Sequence, residues 1–346
     1  LARYTAWNVP VITLTGYLGA GKTTLLNHLL RREGARIGVV INDFGAINVD
    51  AALVSGQVDK TASIFGGCLC CMPDGGGLDD ALTTLARPKL RLDAIIIEAS
   101  GLADPIALSR IIHFSKAPHI RPGGIVEVID ALEHFHTVDM QRDPPARYAA
   151  TNLIVIAKTD MLDAPSRTEI IERIEARVRM RNPDAQFALA DHGIIDPGLI
   201  FDVASNEDPQ DELPIAQLLR GSQPHAHHHA HSASVELPGP VSPSALVELL
   251  ENPPTDAYRM KGRITVREPR RAKTHELAGY IVNLVGRSIH IAPMASPAIP
   301  GEFVAIGMRL DSAQAQRRLD ALPEDPGDGL DAMGLRHLHR YLRLSR

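Results

Sequence analysis

Gly16 to Thr23, GYLGAGKT, constrains the fold of this chain more than any other stretch. It fits the spacing G-x-x-x-x-G-K-[ST]. It follows the apolar run VITLT and precedes a segment that places Leu25, Leu26, Leu29 and Leu30 on one helical face. A strand, a glycine-rich turn and a helix N-terminus in that order make a cradle for phosphate. Gly16, Gly19 and Gly21 let backbone N–H groups turn inward, Ala20 and Thr24 belong to the same cradle, and the helix end adds partial positive charge. Lys22 would reach the β- and γ-phosphates, and the Thr23 hydroxyl would ligate Mg2+.

The rest of the chain fits that beginning. Up to about residue 205, short apolar runs (ARIGVVIN, LDAIIIE, GGIVEVID, NLIVIAKTD) alternate with helix-like segments (GLDDALTTLA, DPIALSRIIHF, PSRTEIIERIEARVRM). Strands that are apolar throughout and separated by helices predict an α/β fold, a mostly parallel sheet covered by helices. We therefore expect a P-loop domain over residues 1–205. Residues 206–232 lose the apolar period, become rich in Pro, Gly, Ser and His, and read as a flexible linker. Residues 233–346 mix one short helix candidate with alternating runs and predict a small α+β domain with a basic tail, RHLHRYLRLSR. At 346 residues, two domains are the natural partition.

A net charge of −5 supplies no overall basic field, so nucleic acid is not an expected partner. No apolar run approaches the ~20 residues needed to span a bilayer. The first residues also lack the layout of a signal peptide. The expectation is a cytoplasmic protein without a membrane partner.

A second carboxylate is needed near the phosphates, and Glu98 supplies it at the end of LDAIIIE. Gly101 follows closely and would bring its N–H to the γ-phosphate, as a switch segment does. Asp104 and Pro105 predict the N-cap and first position of the next helix. After NLIVIA comes AKTD: Asp160 would accept from guanine N1–H and the 2-amino group, which adenine does not offer, and the Lys158 stem would lie along the base.

All three cysteines, Cys68, Cys70 and Cys71, sit within GGCLCCM. A disulfide framework is excluded by their number and spacing, leaving a redox device, a structural clip or a metal site. Thiolates favour Zn2+ or Cu(I), and three local ligands without a second cysteine pair suggest an open, exchangeable site. His225, His227, His228, His229 and His231 would add a low-affinity collecting cluster, or serve only as a solvated spacer. His134, His136, His275 and His290 read as ordinary histidines.

GYLGAGKTTLLNHLL, NDFG (42–45), GGCLCC (66–71), EASGLADP (98–105) and AKTD (157–160), in that order, resemble the CobW family of P-loop GTPases over nearly the whole chain. The resemblance implies GTP hydrolysis coupled to binding and transfer of a metal, most often Zn2+, with Co2+ or Fe2+ in some branches. It implies a client metalloprotein as partner and metal on Cys68, Cys70 and Cys71. Two departures stand out: Asp43 replaces the family's Glu, and Ala157 replaces the Asn that usually opens the guanine motif. Asp43 would serve Mg2+ or the metal at altered reach, and either Asp43 or Glu98 would place the attacking water. No arginine finger is legible, so hydrolysis is expected to be slow alone and faster with a partner or in a homodimer. Two other readings stay open: a metal buffer or sensor with incidental hydrolysis, and a P-loop ATPase or kinase with a structural metal clip.

Overall fold

The computed structural model describes residues 8–31, 35–43, 46–50, 62–64, 76–99, 104–201, 230–269, 275–323 and 330–345. They divide between two compact units, one ending at His229 and the other starting at Ala230.

The first unit is built on an eight-stranded sheet. In chain order its elements are β1 (Val9–Gly16), α1 (Lys22–Leu30), β2 (Ile37–Asp43), β3 (Ala46–Asp50), β4 (Ala62–Ile64), α2 (Gly76–Leu85), β5 (Ala94–Glu98) and α3 (Pro105–His113). They continue as β6 (Ile120–Asp130), β7 (Leu153–Ala157), α4 (Ala164–Arg179) and β8 (Gln186–Ala190). Every residue of β1, β5 and β7 is buried, as expected for strands covered on both faces.

The strand order is β4-β3-β2-β5-β1-β6-β7-β8. From β2 to β8 all neighbours are parallel. The outer strands β3 and β4 are antiparallel additions that the apolar pattern did not announce. Both are short and carry polar residues, so they fall below the signal that marks the buried strands.

Helices α2 and α3 pack Leu78, Leu82, Leu85, Leu108 and Ile112 against Val11, Ile95 and Ile97. Helix α4 contributes Ile174 and Val178 to a cluster with Ile129, Ile154, Ile156 and Phe187. Asp104 caps α3 as its sequence predicts, its Oδ1 accepting from the Ile106 N–H at 2.9 Å, with Pro105 at the first helical position.

Because the strands are parallel, the ends of β1, β5, β6, β7 and β8 emerge on one side of the sheet. The chain changes its direction of travel across the sheet around β1, and an open α/β sheet binds its ligand at such a crevice.

The second unit holds a five-stranded antiparallel sheet of order β12-β11-β10-β13-β9. Its strands are β9 (His231–Leu237), β10 (Arg259–Pro269), β11 (His275–Val285), β12 (Ser288–Pro293) and β13 (Gly301–Gly307). Three helices cover it: α5 (Pro243–Glu251), α6 (Ser312–Leu319) and α7 (Ala332–Leu344). A core of its own joins Leu246 and Leu250 of α5 to Ile264, Val282 and Phe303 of the sheet, Leu319 of α6, and Leu335 and Leu338 of α7.

Strand β9 begins inside the stretch that reads as linker, because its pairing partner β13 lies far along the chain. The basic tail is helix α7. It buries Leu335 and Leu338 and leaves Arg336, Arg340 and Arg343 exposed. No helix among the described residues is long and apolar enough to cross a membrane.

Candidate nucleotide site

The turn after β1 has the backbone that a phosphate cradle requires. Gly16 sits at φ 146° and lies so close to β6 that a Cβ would come 2.5 Å from the Val128 carbonyl oxygen. Gly21 precedes α1 in a left-handed conformation, φ 103°, which favours glycine. Gly19 also has positive φ, and the buried Ala20 donates its N–H to the Tyr17 carbonyl at 3.1 Å. Among the described residues no side chain caps α1, so the N–H groups of its first turn have the geometry that suits an anion.

Lys22 is buried and bends back over the loop, its Nζ donating to the carbonyls of Gly16 at 2.8 Å and Tyr17 at 3.1 Å. Burial lowers its pKa, Glu98 and Glu127 pull it upward, and Arg147 adds to the lowering. Thr23 donates its hydroxyl to Glu98 Oε1 at 2.9 Å, across the gap between α1 and the end of β5. A hydroxyl and a carboxylate side by side are hard oxygen donors, the chemistry that suits Mg2+. Thr24 lies beside the loop after β8, where a Cβ on Gly193 would come 2.7 Å from Thr24 Cγ2.

At the other end of the crevice, Lys158 follows β7 with φ 62° and donates from Nζ to Asp130 Oδ2 at 2.6 Å. Asp160 lies in the next short turn with Oδ2 3.0 Å from His192 Nδ1. Arg167 braces the region through Thr159 Oγ1 at 3.3 Å and Asp191 Oδ1 at 3.1 Å. Ala157 is buried, and a Cβ on Gly21 would meet its methyl group at 3.8 Å. The phosphate cradle and the AKTD segment are thus parts of one crevice.

Residues 10–188 match the family described as CobW/HypB/UreG, nucleotide-binding domain, and residues 230–322 match the cobalamin synthesis protein cobW C-terminal domain. The chain belongs to the CobW/HypB/UreG family.

Among curated relatives of this CobW/HypB/UreG chain, the zinc chaperone YjiA of Escherichia coli K12 is 29% identical over 253 residues, covering 70% of this chain and 76% of YjiA. The zinc chaperone CobW of a Sinorhizobium species is 28% identical over 304 residues, covering 75% of this chain and 82% of the relative. Among solved structures, Zn(II)-bound YjiA GTPase from E. coli aligns with 92% of this chain and 99% of its own at 23% identity and a TM-score of 0.41.

Several residues named from sequence lie outside what the structure describes: Cys68, Cys70, Cys71, Gly101, His225, His227, His228 and His229. Asp43 ends β2, with only its backbone described, and His231 opens β9. Among the described residues no group of three or more His, Cys, Asp or Glu side chains is placed to hold a metal ion.

Tertiary structure places beside this crevice residues that sequence reasoning passed over. Glu127 is an acid in the middle of the apolar run GGIVEVID, which ends on Asp130; it is a detectable signal, and it is 1% exposed. Burial raises its pKa to about 7 against the opposing pull of Arg147, Lys22 and a hydrogen bond from Thr15. Arg147, Asp130 and His192 carried no sequence signal, because each is defined by a partner distant in the chain.

Proposed function

We propose that this chain is a GTP-hydrolysing metallochaperone that binds zinc at Cys68, Cys70 and Cys71 and delivers it to a client metalloprotein under nucleotide control. The observation that carries the nucleotide half is the hydrogen bond from Thr23 to Glu98 beside the uncapped start of α1. It joins the hydroxyl and the carboxylate expected to hold Mg2+ at the mouth of a phosphate cradle. The metal half is supported by family membership and by relatives named zinc chaperones. A further relative from Dictyostelium discoideum is named zinc-regulated GTPase metalloprotein activator 1.

In this reading the N–H groups of residues 21–24 bind the α- and β-phosphates, and the Lys22 ammonium is aimed where charge develops during phosphoryl transfer. Thr23 and Glu98 would hold Mg2+, which would supply positive charge to offset the negative charge of the phosphates. Glu98 or Asp43 orients the water that attacks the γ-phosphorus as the bond to the β–γ bridging oxygen breaks, giving GDP and phosphate. Asp160 selects guanine by accepting from N1–H and the 2-amino group. The loss of the Asn amide at Ala157 weakens the grip on the base without changing that preference. Residues 233–346 contact the client or modulate turnover, and the linker histidines collect metal loosely.

Zinc affinity of the intact chain and of a Cys68→Ser/Cys70→Ser/Cys71→Ser variant, each with a GTP analogue and with GDP, tests the coupling. The expected result is tight binding that depends on the nucleotide in the parent and is lost in the variant. Affinity indifferent to nucleotide, or surviving loss of the thiols, would overturn it. Competition between GTP and ATP tests the base assignment, and tighter ATP binding would sink it.

A further inference from the structure

Beneath the phosphate loop lies a buried ion pair that the chemistry above does not use. Glu127 stands on β6 directly opposite Thr15 of β1. Arg147 comes from the short turn Ala146–Ala150 that leads into β7. Its Nε lies 2.9 Å from Glu127 Oε1, with side-chain exposures of 9% and 1%. A second nitrogen, Nη2, donates to Thr15 Oγ1 at 2.5 Å. The guanidinium carbon also rests 4.7 Å from the centre of the Tyr17 ring. One side chain thus grips the last turn of strand β1 and the second residue of the phosphate loop.

A buried ion pair is a weak source of stability, because desolvating two charges offsets much of their attraction. What this one supplies is a fixed point. A guanidinium is planar and holds its partners in set directions, so the hydrogen bond to Thr15 and the ion pair with Glu127 orient the plane that packs on Tyr17. The next link is Lys22, whose ammonium is placed by the carbonyls of Gly16 and Tyr17. The order of dependence runs from Glu127 to Arg147, from Arg147 to residues 15–17, and from those carbonyls to the lysine.

We propose that Arg147, held by Glu127, is a positioning residue for the phosphate loop, fixing the strand-to-loop turn that aims Lys22 at the phosphates. This rests on the phosphate-binding half of the proposed function and is independent of the metal and of the base. Arg147 does not touch the reacting atoms. It acts through Tyr17 and Lys22.

The test is the affinity of the full chain for fluorescent GDP and GTP, with ADP and ATP analogues in parallel, set against the melting temperature of each variant. Arg147→Met is expected to weaken di- and triphosphate binding about tenfold, the scale of a lost charge-assisted hydrogen bond. It also leaves Glu127 buried without its cation and lowers the melting temperature. Adding Glu127→Gln removes the buried acid left without its cation, so the double variant is expected to recover thermal stability but not affinity. A folded double variant with parental affinity would overturn the proposal, since the pair would then be purely structural. If neither variant folds, Tyr17→Leu decides: weaker binding of both nucleotides supports the proposal and parental affinity overturns it. Lys22→Ala separates the two readings. If the parent binds no nucleotide, or Lys22→Ala binds as the parent does, the phosphate-loop reading itself fails.

Discussion

Thr23 and Glu98 are 75 residues apart in sequence yet 2.9 Å apart in space, and the proposed Mg2+ site is built on that contact. Glu98→Gln keeps the size and the acceptor oxygen but removes the charge. It is expected to lower Mg2+-dependent hydrolysis at least about tenfold, while GDP affinity measured without Mg2+ changes little. Single-turnover rates beside equilibrium binding check this. A second residue-scale consequence concerns pH. His134 is buried, with Nε2 3.1 Å from the Tyr148 hydroxyl, and burial lowers its pKa from 6.5 to about 4 despite the pull of Asp139. The unfolded chain therefore binds a proton first as pH falls. The penalty is absent above pH 6.5 and grows to roughly 3 kcal/mol as pH drops towards 4. His134→Gln is expected to flatten that slope in urea unfolding midpoints measured between pH 4.5 and 7. Of the residues named from sequence, those in one contiguous motif, such as Gly16 to Thr24, came with their neighbours attached. Glu127 was visible only as an acid in an apolar strand, and Arg147 was not visible at all.

At the level of elements, period and caps explain what was legible. Strands β1, β5 and β7 are continuous apolar runs between breakers, and α3 announces itself through Asp104 and Pro105. Strands β3, β4 and β9 were not legible, because a short strand with polar residues is stabilised by its neighbour's hydrogen bonds more than by its own pattern. The basic tail shows the same limit. Its charges said only that it is basic, whereas the structure shows it as part of α7, docked through Leu335 and Leu338. Asp331 fastens that helix twice, accepting from Gly334 N–H at 2.8 Å as its cap and from Ser244 N–H of α5 at 2.7 Å. Asp331→Ala removes both bonds and is expected to cost about 1–2 kcal/mol, typical of a lost N-cap. Chemical denaturation of the second unit, followed by tyrosine fluorescence, measures it.

On the scale of the whole molecule, each unit closes its own core. In the second, α5, α6 and α7 cover the five-stranded sheet around Leu246, Ile264, Val282, Phe303 and Leu338. Residues 230–346 made as a separate fragment are therefore expected to unfold cooperatively, with a calorimetric transition of their own. Loss of a cooperative transition would count against an independent core. The order of motifs along the chain determined the strand–loop–helix unit, the phosphate cradle and the α/β class, because those depend on residues close together in sequence. Tertiary structure alone decided what the cradle rests on. Thr15, Glu127 and Arg147 meet only through the pairing of β1 with β6 and the turn before β7, and a contact made by register between distant strands leaves no periodic trace in the sequence.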